Sequence, residues 1–284
     1  ANLCRVTGWP GMAFIGDETG AAATHRVSQT EVGRIYLANH WSALRAFDGF
    51  CMQAGHRVDE ATAVVIDLDK TILGARRRNS QVIDMARAQA VELTLAGSLG
   101  EGFDSQAFQQ VYKLFNQIEF HPFTSDNQDY LGYVCLMLLA GAADASQLAA
   151  SVRQGELTSF EQFIQKIEGF QDQLPDPLRE LHQEVYACVR AGDPTPFKAF
   201  RRKEYEITVS KMGCLEQDAP VEALLEGEIT LTQEVRHMAL QWQQRGALIF
   251  GLSDKPDEAS LPSAELVAQG FQPLHRTPTH AVGA

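Results

Sequence analysis

Residues 61–66 (ATAVVI) form a continuous β-favouring run that opens directly onto Asp67-Leu68-Asp69-Lys70-Thr71. An apolar run without regular alternation predicts a strand buried on both faces, the condition met when helices cover a parallel sheet. Upstream, GMAFIGDETG puts a short apolar run from Gly11 ahead of a polar turn, which predicts another strand. Between the two, Ser28-Gln29-Thr30-Glu31 has capping-box spacing, and Val32, Ile35, Tyr36, Leu44 and Phe47 supply an apolar stripe. That pattern predicts a long helix with Gly55 as its stop. Strand, helix, strand is the parallel-sheet unit, so the expected class is α/β.

From about Ser80 to Gln244 the chain is mostly helix-like, broken at Leu174-Pro175-Asp176-Pro177 and at Gly192-Asp193-Pro194-Thr195-Pro196. No self-similar period of 20 to 50 residues runs through it, which argues against a solenoid. The α/β pattern returns with a helix carrying Val235, Met238, Ala239 and Trp242. Then ALIFGL leads into Ser253-Asp254-Lys255-Pro256, where the proline is placed to open a further helix. The expected organisation is an α/β core made of 1–79 and 245–284, with a helical domain inserted over 80–244.

The chain has 284 residues, a formal net charge of −12 and 45% apolar residues, the profile of an ordinary soluble globular protein. The acidic balance weighs against nucleic acid as a partner, because a negative surface repels polyanions. The longest apolar stretch, Leu131 to Ala143, falls short of the roughly 18 to 20 residues that span a bilayer, so it predicts a buried helix and no membrane partner. No basic segment followed by a long apolar one opens the chain, so a cytoplasmic location is expected; a start at Ala1 rather than Met suggests processing or a cut. Five widely spaced cysteines without a CxxC pair indicate core thiols rather than a zinc site or a disulfide framework.

Asp67 and Asp69 stand where a strand runs into a loop, the edge at which open α/β sheets bind ligands. Two carboxylates one residue apart at such an edge can converge on a Mg²⁺ ion, one oxygen coming partly from the backbone. One acid can then attack phosphorus while the other protonates the leaving oxygen. The bland alternative is a turn with two solvated acids.

At these residues the chain resembles the haloacid dehalogenase-like (HAD) superfamily, whose first motif is DxDxT after an apolar strand; VVIDLDKTIL fits it without a gap. The resemblance implies a Rossmannoid parallel-sheet core with an inserted, mostly helical C1-type cap that closes over the site and selects substrate. It also implies Asp67 as nucleophile, Asp69 as general acid/base and Thr71 as an orienting residue, with Mg²⁺ as cofactor. Ser253, after ALIFGL, fits the second motif, whose hydroxyl binds the phosphoryl group; its other reading is an N-cap. Lys255 is placed to supply the third motif's positive charge, although that motif usually lies further on, and a surface lysine is its plain alternative.

No strand followed by paired acids comes after Ser253, which departs from the family's fourth motif. That motif supplies acidic metal ligands, and the best acidic pair after a strand, hence the candidate for further Mg²⁺ ligands, is Asp17-Glu18, upstream, so the core would have to be circularly permuted or completed by sequence outside this chain. A solvated turn is the competing reading. Arg76-Arg77-Arg78 follows the first motif closely, and Arg76 is a candidate contact for an anionic substrate. His121 to Tyr130 and Arg201-Arg202-Lys203 are further candidates, weighed against a capped helix entry and a solvated basic face. The expected activity is Mg²⁺-dependent hydrolysis of a small phosphorylated metabolite through an aspartyl-phosphate. A HAD phosphotransferase and a non-catalytic HAD-like binding protein are the alternatives.

Overall fold

The computed structural model describes residues 2–20, 22–31 and 33–283. It is a mixed α/β protein. In chain order the elements are α1 (Asn2–Thr7), β1 (Gly11–Gly16), β2 (His25–Thr30), β3 (Gly33–Ala38), α2 (Leu44–Gln53) and β4 (Ala63–Asp67). Eight helices follow: α3 (Ser80–Leu99), α4 (Ser105–Phe115), α5 (His121–Thr124), α6 (Gln128–Leu139), α7 (Ala145–Arg153), α8 (Phe160–Glu168), α9 (Asp176–Arg190) and α10 (Lys198–Ser210). The chain continues through α11 (Val221–Gly227), β5 (Leu231–Thr232), α12 (Gln233–Gln244), β6 (Leu248–Leu252), α13 (Asp257–Ser260), α14 (Ala264–Ala268) and β7 (Ala281–Val282). Two compact units divide it: 1–85, 208–254 and 277–284 form the first, 86–207 and 255–276 the second. These boundaries differ from 79/80 and 244/245, because 208–244 packs with the strands and 255–276 with the helices.

The first unit holds every strand, distributed among the described residues over three small sheets, in the orders β1-β3-β2, β4-β6 and β5-β7. The single long helix expected from Ser28 to Gly55 is instead a hairpin followed by a shorter helix. Strands β2 and β3 pair antiparallel from His25↔Ala38 to Thr30↔Gly33. Of the stripe residues, Val32 lies outside the described residues, Ile35 and Tyr36 sit in β3, and only Leu44 and Phe47 are helical. The reason is cross-strand packing. Glycine at position 33 disfavours a helix interior by about 1 kcal/mol, whereas Ile35-Tyr36-Leu37 suits a pleated surface whose alternate residues are buried. Tyr36 stacks on His25 with ring centroids 4.6 Å apart and meets Phe47 edge-on at 5.8 Å. The predicted stop holds: Gly55 has φ of 81° just past α2, and its N–H donates to Met52 O at 3.0 Å.

The strand expected at Gly11 is present as β1, but its parallel partner is β3 rather than the strand at 63–67. That strand, β4, pairs parallel with β6 from Ala63↔Leu248 to Asp67↔Leu252. Its two faces are unequal, against the expectation of burial on both. Ile66 joins a core of Tyr36, Trp41, Phe47, Val235, Met238 and Trp242, with Val64 and Ile249 packed against it. The opposite face exposes Val65, Leu248, Phe250 and Leu252 by 45% to 60%. Asp48 of α2 clamps α12 to this core: it accepts from Trp242 Nε1 at 2.7 Å and from both terminal nitrogens of Arg245 at 2.9 and 3.0 Å. Burial alone would raise its pKa, yet those donors hold the carboxyl below the ordinary range.

The second unit is helical around an aromatic core that includes Phe108, Phe115, Phe120, Tyr133, Phe160, Phe163, Phe197 and Phe200. The apolar stretch from Leu131 is indeed a buried helix, α6, in which Tyr133 to Met137 are fully inaccessible. Among the described residues no helix is long and apolar enough to cross a membrane. Buried ion pairs thread this unit. Arg201 donates to Asp129 and, through Nη1 at 2.6 Å, to Glu204, which also receives Arg87 Nε at 3.1 Å.

Candidate active site

Strand β4 ends at Asp67, and the chain turns back at once. Leu68 N–H donates to Leu252 O of β6 at 2.9 Å, and Leu73 N–H donates to Leu68 O at 2.9 Å, closing a tight loop over 68–73. Lys70 takes the left-handed conformation, with φ of 59°, at the tip of that loop. Its Nζ lies 2.7 Å from Asp84 Oδ1. The far side of the loop is pinned to β5, where Thr232 Oγ1 donates to Thr71 O at 2.6 Å and Thr232 N–H to Ile72 O at 2.8 Å. Behind it, fully buried Asn79 donates to Leu225 O at 2.6 Å and to Glu228 O at 2.8 Å, and accepts from Thr230 N–H at 2.9 Å.

This scaffold brings four of the predicted residues together. Thr71 Oγ1 donates to Asp67 Oδ2 at 2.8 Å, and Ser253 Oγ donates to Asp69 Oδ2 at 3.1 Å. The hydroxyl from the end of β6 therefore meets the acid from the loop after β4, across the parallel pair. Ser253 is not a helix cap, since α13 starts at Asp257 with Pro256 at its N-cap. The run after Pro256 is two short helices rather than one. Burial raises the pKa of Asp67, the Thr71 hydroxyl opposes that rise, and the charges of Asp69 and Asp254 add to it. Asp254 is the site residue that sequence reasoning passed over. Its signal was present: it stands directly after the strand-end serine, in the loop that leaves β6.

Asp17 and Glu18 make their contacts elsewhere. Asp17 Oδ1 lies 2.9 Å from Arg77 Nε and 3.6 Å from Arg76 Nε. Glu18 Oε2 lies 2.5 Å from Arg78 Nε, and Arg78 also reaches Glu234 at 2.8 Å and Val282 O at 3.1 Å. The three-arginine run after the first motif is thus engaged with the acidic pair after β1, and Arg76 keeps an exposed side chain. Lys255 is almost completely buried, with Nζ 2.6 Å from Glu204 Oε1 in the helical unit. Of the other candidates, Asn127 caps α6 through Asp129 N–H, and Arg201 is a buried structural cation rather than a solvated one.

A hard cation fits the donor chemistry at the end of β4, since every side-chain donor there is an oxygen and the carboxylates repel one another. Among the described residues, no three His, Cys, Asp or Glu side chains are grouped to hold a metal by themselves. Comparison with family models, with curated proteins and with solved structures finds no match.

Proposed function

We propose that the chain is a cytoplasmic, Mg²⁺-dependent phosphatase of small phosphorylated metabolites, working through an aspartyl-phosphate on Asp67. The observation that carries the reading is the paired arrangement at one strand edge, Thr71 on Asp67 and Ser253 on Asp69. On this reading the unit bearing β4 and β6 is a HAD-like Rossmannoid core, and the helical unit is its substrate-selecting cap.

Thr71 occupies Oδ2 of Asp67, which turns Oδ1 toward the substrate as the attacking oxygen. Asp69 gives a proton to the departing alkoxide oxygen and later takes one from the water that cleaves the phospho-aspartate. Ser253 donates its one hydroxyl proton to Asp69 in the free site and would turn it to a phosphoryl oxygen when substrate enters. Asp67 and Asp69 would hold Mg²⁺, which when bound offsets the negative charge of the incoming phosphate.

Phosphate release measured across a broad phosphometabolite panel, with and without Mg²⁺, tests the proposal against Asp67→Asn. Release that needs both the cation and Asp67 supports it. Silence across the panel points to a non-catalytic binding protein, and transfer to an added alcohol in place of water points to a phosphotransferase.

A further inference from the structure

A concavity lies in the strand-bearing unit, at the end of the β1-β3-β2 sheet where β1 and β3 begin and β2 ends. Asp17 and Glu18 follow β1 at its other end. It has a volume of about 520 Å³ and is lined by Arg5, Trp9, Gln29, Glu31, Arg34 and His56, among others. That volume falls within the roughly 300 to 1,000 Å³ usual for small-molecule sites.

Its lining carries more basic than acidic side chains. In a chain of net charge −12, two arginines and a histidine face a single carboxylate, that of Glu31. Among the described residues neither Arg5 nor Arg34 belongs to an ion pair, unlike Arg76, Arg77 and Arg78 after the first motif, which Asp17 and Glu18 engage; other arginines, Arg45 and Arg57 among them, are likewise outside any ion pair. The Arg34 guanidinium sits 5.9 Å from the Phe50 ring centroid, which limits its sweep without neutralising it. Trp9 is 63% exposed at the same concavity, a large aromatic surface left open beside the unpaired cations. Its backbone is set by a local bond from Trp9 N–H to Thr7 Oγ1 at 3.3 Å and by Gly8, whose φ is 71°. The floor is tight backbone: a Cβ at Gly33 would lie 1.8 Å from Gly11 O, so the first paired residues of β1 and β3 leave no room for a side chain between them.

We propose that this concavity binds a small organic phosphate carrying a planar ring, with Trp9 stacking on the ring and Arg5 and Arg34 holding the phosphate. Guanidinium matches phosphate oxygens in geometry as well as charge, and an indole face accepts any flat π-system. The site shares no residue with the Asp67 cluster, so it stands whether or not that cluster hydrolyses phosphate esters.

The test uses the full chain bearing Asp67→Asn, so that no ester is turned over, and adenosine 5′-monophosphate as the probe. Titration is followed by calorimetry and by tryptophan fluorescence, with adenosine as the uncharged comparison. Saturable binding of the monophosphate, at least tenfold tighter than adenosine and weakened at least tenfold by Arg34→Glu and by Trp9→Ala, is the expected result. Arg34 and Trp9 are both exposed, and an unchanged thermal melt confirms that the variants are folded. No saturable binding, adenosine binding as tightly as the monophosphate, or affinity indifferent to both variants would overturn the proposal.

Discussion

Asn79 shows how one buried polar side chain can hold two separate segments together. It is fully buried, and its amide satisfies two carbonyls and one N–H of the 225–230 segment, whose Thr230 O in turn accepts from Gly74 N–H at 2.9 Å. Asn79→Ala leaves those groups without partners, and each orphaned group costs about 1–3 kcal/mol. We expect a loss of roughly 3 kcal/mol in urea unfolding, together with a fall in any phosphatase activity. Asn79→Asp, which keeps the acceptor and loses the donors, should recover only part of the stability. Glu204 governs a different quantity, the acid limb of stability. Burial opposes its ionisation, but Lys255, Arg87 and Arg201 bring its pKa down to about 2. An unfolded glutamate titrates near pH ~4.3. Its contribution is therefore complete above that value and is lost as pH falls from ~4.3 toward 2. Glu204→Gln should flatten the stability-against-pH curve in that window and lower stability at pH 7 by about 3–5 kcal/mol, because three cations lose a shared partner. Chemical denaturation at several pH values checks both statements.

At the level of elements, the parallel pair β4-β6 sets the geometry of the proposed site, and its two faces differ sharply. Ile66 is 9% exposed within the core, whereas Phe250 is 50% exposed on the other face. Ile66→Ala should cost about 2–5 kcal/mol through lost burial and a residual cavity, and should disorder the Asp67–Asp69 edge. Phe250→Ser should change stability by less than about 1 kcal/mol, the scale of an exposed strand substitution. Comparable losses in the two variants would contradict the one-sided packing. The strand itself, and the ALIFGL strand paired with it, were legible from β-favouring runs ending at polar turns. Their one-sidedness was not, because nothing within 61–66 records whether another layer covers Val65. The hairpin at 25–38 is hidden in the sequence for a related reason. Ser28-Gln29-Thr30-Glu31 satisfies a local capping rule, while the pairing of Val27 with Tyr36 and the stacking of His25 on Tyr36 depend on contacts between separated residues.

For the molecule as a whole, the five cysteines report on packing. All are free thiols: Cys51 and Cys135 are buried, Cys4 and Cys188 partly buried, and Cys214 exposed. Burial, with the charge of Asp48 adding to it, pushes the Cys51 thiol up to about 11. A thiol reagent at pH 8 should therefore leave Cys51 and Cys135 unreacted until denaturant is added, while exposed Cys214, its thiol pushed up by partial burial and by Glu228, reacts more slowly than its exposure alone would allow. Early labelling of either buried thiol would refute the packing around it. Strand-end acids at Asp67 and Asp69, their partner Ser253 and the all-apolar helix from Leu131 could be found by reading along the chain, since each depends on neighbours a few residues away. The engagement of Asp17 and Glu18 by Arg77 and Arg78, and the burial of Arg201 between Asp129 and Glu204, could not. Those arrangements join charges from distant segments, and which opposite charge a side chain meets is settled only when hydrophobic burial brings the segments together.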